Sequence, residues 1–535
     1  MESSNNNQRF SKGATPLRPE LVELQERLAF GLDARRPEAV ARRRQKGRRT
    51  ARENLADLMD EGSFIEYGAL NIAAQRSRRP VEDLIAKTPA DGLITGIGTV
   101  NAAHFEENAA RCMVMAYDYT VLAGTQGYFN HKKMDRLLGL ANAQRLPLIL
   151  LAEGGGGRPG DTDAQGVVIA GLDLPTFGLF ARLSGRVPLV GVVSGYCFAG
   201  NAALLGCCDV IIATRQTNIG MGGPVMIEGG GLGSFAPQDI GPVEVQSENG
   251  VVDIVVEDEA EAIAAAKQYL AYFQGPTTEW DAADQTGLRD LIPENRRRAY
   301  DVRQIIETMA DRNSFLELRP GFGLGMITGL VRIEGVPFGL MANNCQHMAG
   351  TIEADDGDKA ARFMQLCNAH GLPLISLIDT PGFMVGPEIE RQAQVRHVCR
   401  MFITGSHLRV PVFSIVLRRG YGLGAMAMAR GGFHESFFTA AWPTGEFGGM
   451  GIEGAVKAGF KKELAAIEDP AAREKLYEDM VTQGYERGKA INMASYMEID
   501  AVIDPADTRK WVMRGLKSLP PKPSEATFLP FVDSW

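Results

Sequence analysis

Two short glycine-rich turns are where this sequence can do chemistry. The first is Gly195-Tyr196-Cys197-Phe198-Ala199-Gly200-Asn201, and the second is Gly420-Tyr421-Gly422-Leu423-Gly424-Ala425. Each follows an apolar, strand-like run and leads into a small-residue, helix-prone run, AALLGCC in one case and MAMAR in the other. Backbone N–H groups at a strand-to-helix turn lack partners inside the helix, and the helix dipole adds partial positive charge there. Small side chains let another group approach. Together these features make an oxyanion hole or an anion cradle from main chain alone. Tight strand–helix packing without a ligand is the alternative for either turn taken singly. Each turn is, however, followed by a second glycine-rich loop, Ile219–Gly223 and Phe447–Gly451.

Competing motifs fail on spacing. GYGLGA places glycines at 420, 422 and 424 and lacks the GxxG step of a dinucleotide fingerprint. GAVKAGFK, Gly454–Lys461, has Phe460 where a P-loop requires lysine. Ser194 lies in GVVSG, which is not a nucleophile elbow. Asp161 and Asp163, and the cluster Asp355, Asp356 and Asp358, lack metal-ligand spacing; exposed charge at a helix N-terminus is the simpler account of the latter. His347 is either a general base or a loop histidine. No metal site is expected.

The elements that position these turns form an α/β pattern. Pro147–Ala152, Pro188–Val193, Val210–Ala213, Pro373–Ile378 and Pro411–Leu417 read as buried strands. Lys133–Gln144 and Lys359–His370 read as helices. The second of each pair repeats the first. KMDRLLGLANAQRLPLILLAEGGG (Lys133–Gly156) aligns without a gap on KAARFMQLCNAHGLPLISLIDTPG (Lys359–Gly382), and RVPLVGVVSGYCFAG (Arg186–Gly200) on RVPVFSIVLRRGYGL (Arg409–Leu423). The chain therefore reads as one α/β domain written twice: a disordered tail over 1–18, one domain over 19–285 and a second over 286–535. The linker lies in the polar, turn-rich stretch between Gly275 and Arg296.

Composition sets the boundaries. The chain has 535 residues, long enough for more than one domain. Its 61 glycines exceed the usual share of about 7% without any collagen period. Lys and Arg number 56 against 65 Asp and Glu, a net charge of −9, which disfavours a nucleic-acid partner. The basic stretch Arg35–Arg52 reads as a solvated helix, a phosphate contact or an RNA contact. No apolar run is long enough for a membrane helix, and the polar start MESSNNNQRFSKG is no secretory signal. The seven cysteines form no CxxC pair and read as buried apolar residues. A reduced, cytoplasmic protein is expected.

Beyond the turns, RRTARENLADLMDEGSFIEYGAL, DGLITGIGTV, YDYTVLAGTQG, GYCFAGNAALLGCCD, RAYDVRQIIETMADRNSFLEL, ITGLVRIEGVPFGLMANN, DTPGFMVGPEIE, RRGYGLGAMAM and AWPTGEFGGMGIEGA succeed one another in order. With these motifs the chain resembles, over roughly residues 45–520, the carboxyltransferase (β) subunit of biotin-dependent acyl-CoA carboxylases, the propionyl-, methylcrotonyl- and long-chain acyl-CoA group. The resemblance implies two tandem crotonase-like domains, each a ββα superhelix, assembled as a hexamer of three dimers. It implies carboxyl transfer from carboxybiotin to the α-carbon of an acyl-CoA, with acyl-CoA mainly on the N-terminal domain and biotin mainly on the C-terminal domain of a partner subunit. Biotin itself takes the α-proton after losing CO2, so no protein base is required.

Position by position, the resemblance makes Ala199 and Gly200 the donors to the enolate oxygen, and Leu423 and Gly424 the donors to the ureido oxygen. Each pair would supply about 3–4 kcal/mol of transition-state stabilisation. Ala199 and Leu423 replace family glycines, and a shift of register to Asn201 or Gly422 stays open. Gly155, Gly156, Gly157 and Arg158 stand in an altered version of the family's Ser-Gly-Gly-Ala-Arg loop on the acyl-CoA side, and Gly382, Phe383 and Gly422 on the biotin side. Met426 replaces an aspartate common in propionyl enzymes and implies a longer or broader acyl pocket. GPVEVQSENGVVDIVVEDEAEAI looks closer to the long-chain group. No biotin-acceptor Met-Lys-Met run and no ATP-binding motif occurs, so a biotin carboxylase and a biotin carboxyl carrier subunit are the expected partners. A decarboxylase running the reaction in reverse and a degenerate, non-enzymatic assembly protein are the alternatives.

Overall fold

The computed structural model describes residues 17–164, 172–520 and 530–535. The tail expected over 1–18 lies, up to residue 16, outside the described residues. The apolar runs form strands because they are buried on both faces, as parallel sheets covered by helices require. In the first half these are β1 (Ile65–Tyr67), β2 (Leu93–Thr99), β3 (Arg111–Tyr117), β4 (Leu148–Gly155), β5 (Leu189–Phe198), β6 (Val210–Thr214), β7 (Asn218–Gly220) and β8 (Ile254–Val256). In the second they are β9 (Leu316–Leu318), β10 (Met326–Ile333), β11 (Val336–Asn343), β12 (Leu374–Thr380), β13 (Val412–Tyr421), β14 (Phe438–Ala441), β15 (Glu446–Gly448) and β16 (Ala501–Val502).

The repeat holds strand for strand. The first sheet runs β1-β2-β3-β4-β5-β6-β8 with β7 paired to β5; the second runs β9-β10-β11-β12-β13-β14-β16 with β15 paired to β13. In both, the first strands are antiparallel and those from β3 or β11 onward are parallel. The helices Tyr128–Gln144 and Ala354–His370 each start about a turn earlier than their apolar pattern suggests and end in a left-handed residue, Arg145 in one and Gly371 in the other.

The two halves share a core. One apolar cluster joins Ala262, Ala266 and Tyr269 of the helix Glu259–Ala271 to Phe363, Met364 and Cys367 of the helix Ala354–His370. The Arg362 guanidinium donates to the carbonyl oxygen of Asp209 at 2.8 Å, and the His370 ring lies 3.0 Å from the Asp209 carboxylate. Leu288 and Ile292 already pack in the second half's own core, with Ile305 and Val331. Among the described residues no helix is long and apolar enough to cross a membrane.

Candidate functional site

Both glycine turns sit where the repeat puts them, at the C-terminal ends of β5 and β13, each opening a short helix, Gly200–Gly206 or Gly422–Met428. The parallel strands β7 and β15 zip onto those strand ends: Phe198 faces Gly220, and Tyr421 faces Gly448. The second glycine-rich loops thus hold the first ones from the side.

The backbone fixes the equivalence of the two turns. Ala199 has φ 52° and Gly422 φ 58°. They occupy the same place after their strands, so Gly200 matches Leu423 and Asn201 matches Gly424. An alanine at this φ is strained by about 1–3 kcal/mol, the kind of backbone cost that clusters at ligand-binding turns. The Ala199 N–H donates to the Gly220 carbonyl at 3.1 Å, so the helix-opening N–H groups of Gly200 and Asn201 are the ones left without a helical partner.

Neighbouring segments close on the turns. The Ala199 methyl occupies the space a side chain at Gly156 would need. The Asn201 amide donates to the carbonyl oxygens of Gly124 (3.1 Å) and Glu153 (3.0 Å). In the second half Gly424 packs directly on Gly382 and Phe383; a β-carbon there would lie 2.8 Å from the Gly382 carbonyl carbon and 3.0 Å from the Phe383 nitrogen. The structure therefore brings Gly382, Phe383, Gly422 and Gly424 together. Leu423 is 60% exposed, and Met426 is partly exposed. Met426 lines a cavity of about 380 Å³ with Gly422, Phe433, Phe447 and Met493. A second cavity, of about 310 Å³, is lined by Arg296, Arg418, Arg419, Ala349, Pro381 and Tyr421.

In the loop expected to face acyl-CoA, Gly155 is half-buried and Gly157 exposed, with open space beside both. Arg158 behaves differently from the expectation. Its side chain is only 5% exposed and pairs with Asp91 and Asp161, while donating to the Thr125 carbonyl at 2.8 Å. The guanidinium is consumed within the protein, so it holds the turn in place and does not reach outward for a ligand.

Six arginines of the basic stretch are also spent internally. Arg36 pairs with Asp118, Arg43 with Glu153 and Glu259, Arg44 with Glu53, Arg48 with Glu153, Arg49 with Asp57 and Arg52 with Glu66. Neither a phosphate nor an RNA contact is needed to account for those arginines. The acidic candidates cap and pair as well. Asp163 accepts from the N–H groups of Arg76 and Ser77, and Asp356 from those of Gly325 and Glu353. Asp358 holds His397 and Arg400, and His347 faces Glu353. Among the described residues no group of acids, histidines and cysteines has the makings of a metal site.

Two features escaped the sequence reading. Leu122, Ala123 and Gly124, and at the equivalent place Met348, Ala349 and Gly350, are left-handed throughout. These turns press against the carbonyls of Glu153 and Asp379. The recurrence of Ala-Gly at one offset in both halves was the available signal. The second is the buried acid before each loop, Glu153 and Asp379, which the aligned block already pairs. Burial pushes the Glu153 carboxyl up, with Arg43 and Arg48 opposing.

Comparison with known proteins agrees with this geometry. Residues 42–528 match the carboxyl transferase domain family. The chain is 30% identical to the propionyl-CoA carboxylase beta chain of Saccharopolyspora erythraea, over 94% of this chain and 93% of that one. It superposes on a single-chain, multi-domain long-chain acyl-CoA carboxylase with a TM-score of 0.88 and 58% identity, covering 93% of this chain and 49% of that chain. It superposes on a chain of the transcarboxylase 12S hexamer, solved with methylmalonyl-CoA and methylmalonic acid bound, with a TM-score of 0.80 and 28% identity, covering 98% of this chain and 100% of that chain. With two equivalent α/β halves, two backbone-built turns and this match over most of its length, the chain belongs to the carboxyl transferase family and is a carboxyltransferase of the acyl-CoA carboxylases.

Proposed function

We propose that the chain moves a carboxyl group from carboxybiotin, carried on a separate protein, to the α-carbon of an acyl-CoA. The observation that carries this reading is the doubled turn. Loss of the α-proton builds charge on the thioester oxygen, and release of CO2 builds charge on the ureido oxygen. Two developing anions call for two sets of fixed donors, aimed in advance and costing no reorganisation during the reaction. Gly200 and Asn201 are read as the first set; Ala199, expected beside Gly200, drops out because its N–H is committed to the Gly220 carbonyl. Leu423 and Gly424, beside Gly382, Phe383 and Gly422, mark the second. Gly155 and Gly157, with open space beside them, give the acyl-CoA a side-chain-free approach to the first turn, while Gly156 packs under the Ala199 methyl.

The acyl group is apolar and longer than propionyl. Met426 and the mostly apolar cavity it lines with Phe433, Phe447 and Met493, together with Arg487 and Glu498, support this, because flexible methionines and aromatic rings accommodate aliphatic chains. A biotin carboxylase and a biotin carboxyl carrier are the partners, and three dimers form the assembly. Transcarboxylation to free biotin, run with carboxylated acyl-CoA esters of increasing chain length, tests the reading. Turnover should rise with chain length; reaction with the propionyl ester alone would overturn the substrate assignment, and no reaction with any ester would overturn the activity.

A further inference from the structure

The parallel pairing that leads into each turn slips at one residue. Between β4 and β5, Ala152 faces Val193 but Gly154 faces Cys197, so Glu153 alone spans Ser194, Gly195 and Tyr196. Between β12 and β13, Ile378 faces Val416 but Thr380 faces Gly420, so Asp379 alone spans Leu417, Arg418 and Arg419. Bulges of this kind bend a strand and re-aim the residues after it. Here those residues form the donor turn.

Each bulge is filled by a buried carboxylate gripped by two arginines. Glu153 Oε1 lies 2.7 Å from Arg43 and 3.2 Å from Arg48. Gly195 has φ 92°, and the Arg48 guanidinium occupies the place of its missing side chain. The Glu153 carbonyl meanwhile accepts from Asn201. In the second half, Asp379 accepts from Arg419 Nε at 2.6 Å, from the Arg419 N–H at 3.1 Å, from Arg418 Nη2 at 2.9 Å and from the Tyr300 hydroxyl at 2.8 Å. The acids share one place in the repeat, but their arginines come from unrelated segments: the N-terminal stretch in one half, the bulge itself in the other. A carboxylate with paired guanidiniums is a stiff, directional unit. Its recurrence from different sources marks the carboxylate as the element both bulges need.

We propose that Glu153 and Asp379 are repeat-related positioning residues, each setting the aim of the donor turn of its own half. This rests on the reading of the turns as donors to the two developing anions. Neither acid touches the reacting atoms; each acts through the bulge it fills.

The test uses the full-length chain with Glu153→Gln and Asp379→Asn, and the milder Arg48→Lys and Tyr300→Phe, which keep the charge balance if the first pair folds poorly. Two readouts are taken: transcarboxylation between a carboxylated acyl-CoA and free biotin, and amide hydrogen exchange over 195–203 and 418–427. Glu153→Gln should speed exchange in the first segment only and lower kcat about 100-fold, with KM for biotin within about twofold. Asp379→Asn should speed exchange in the second segment only and likewise lower kcat about 100-fold, with KM for the acyl-CoA within about twofold. The milder variants should show the same half-specific pattern, attenuated. Exchange that changes equally in both segments, or in neither, overturns the proposal. A wild-type chain inactive with every ester overturns the functional reading alone, because half-specific exchange still decides the role of the two acids.

Discussion

The two glycine turns share a positive φ at the residue after their strands, Ala199 and Gly422, and are held in opposite ways. In the first half a side chain does the work: Asn201 reaches across to the carbonyls of Gly124 and Glu153 and ties the helix to its neighbours. In the second half the equivalent residue is Gly424, and the absence of a side chain lets the helix settle directly on Gly382 and Phe383. The residue at the turn itself shows the same choice, alanine at 199 and glycine at 422, both at positive φ; the residue between reverses it, glycine at 200 and leucine at 423. One backbone trajectory can thus be secured by a hydrogen-bonded strut or by close main-chain contact. The strut ties the first turn to its neighbours; the close contact seats the second turn on Gly382 and Phe383, beside the cavity that Gly422 and Met426 line.

If that contrast is correct, the largest effect should come from Gly424→Val. Its branched side chain must displace the Gly382–Phe383 backbone, and we expect loss of more than about 100-fold in transcarboxylation, with destabilisation of about 1–3 kcal/mol by thermal melting. Asn201→Ala should come next. Removing the strut leaves two carbonyls unpaired and should cost about 1–3 kcal/mol, with kcat falling more than KM for biotin. Gly422→Ala should cost about 1–2 kcal/mol, since it imposes positive φ on alanine and brings the new methyl close to the Gly449 carbonyl. Ala199→Gly should have the smallest effect, a stabilisation of no more than about 1 kcal/mol after the added freedom of the unfolded chain is counted. A large loss from Ala199→Gly would break the equivalence of the two turns.

A pH experiment sharpens the same comparison. Lys133 and Lys359 are repeat partners, each buried and donating to backbone carbonyls: Ala90 and Leu93 in one half, Arg319 and Phe322 in the other. Burial pulls Lys133 down to about 8 and Lys359 down to about 7. Between those values and the ordinary lysine value near 10.4, the unfolded chain holds a proton that the folded chain does not, so stability rises with pH. Denaturant melts from pH 7 to pH 10 should show this rise, at most about 1.4 kcal/mol per pH unit for each lysine. Lys359→Met should remove the part that begins nearest pH 7 and leave the Lys133 part.

Much of this was legible in the sequence because the repeat is ungapped where it matters. The aligned blocks located β4, β5, β12 and β13, both long helices and both turns. What stayed hidden depended on residues distant in sequence. The basic stretch looked available for a phosphate because its acids, Glu153, Glu259, Asp118 and Glu66, lie up to 216 residues away. Arg158 looked like a ligand contact because nothing local shows that Asp91 meets it. The commitment of the Ala199 N–H was out of reach for the same reason: its acceptor is Gly220, on a strand that the sequence shows only as a glycine-rich loop.

The shared core has a consequence for inheritance. In an assembly of two identical half-chains every substitution appears twice, and a change that suits one site must also be borne by the other. Here the contacts between halves, Arg362 on Asp209 and His370 beside Phe273, lie inside a single polypeptide. Each half can then vary alone while its fold is guarded by the other. Asparagine at 201 and glycine at 424, or arginines borrowed from the N-terminal stretch in one half and drawn from the bulge in the other, are differences that two identical half-chains could not keep.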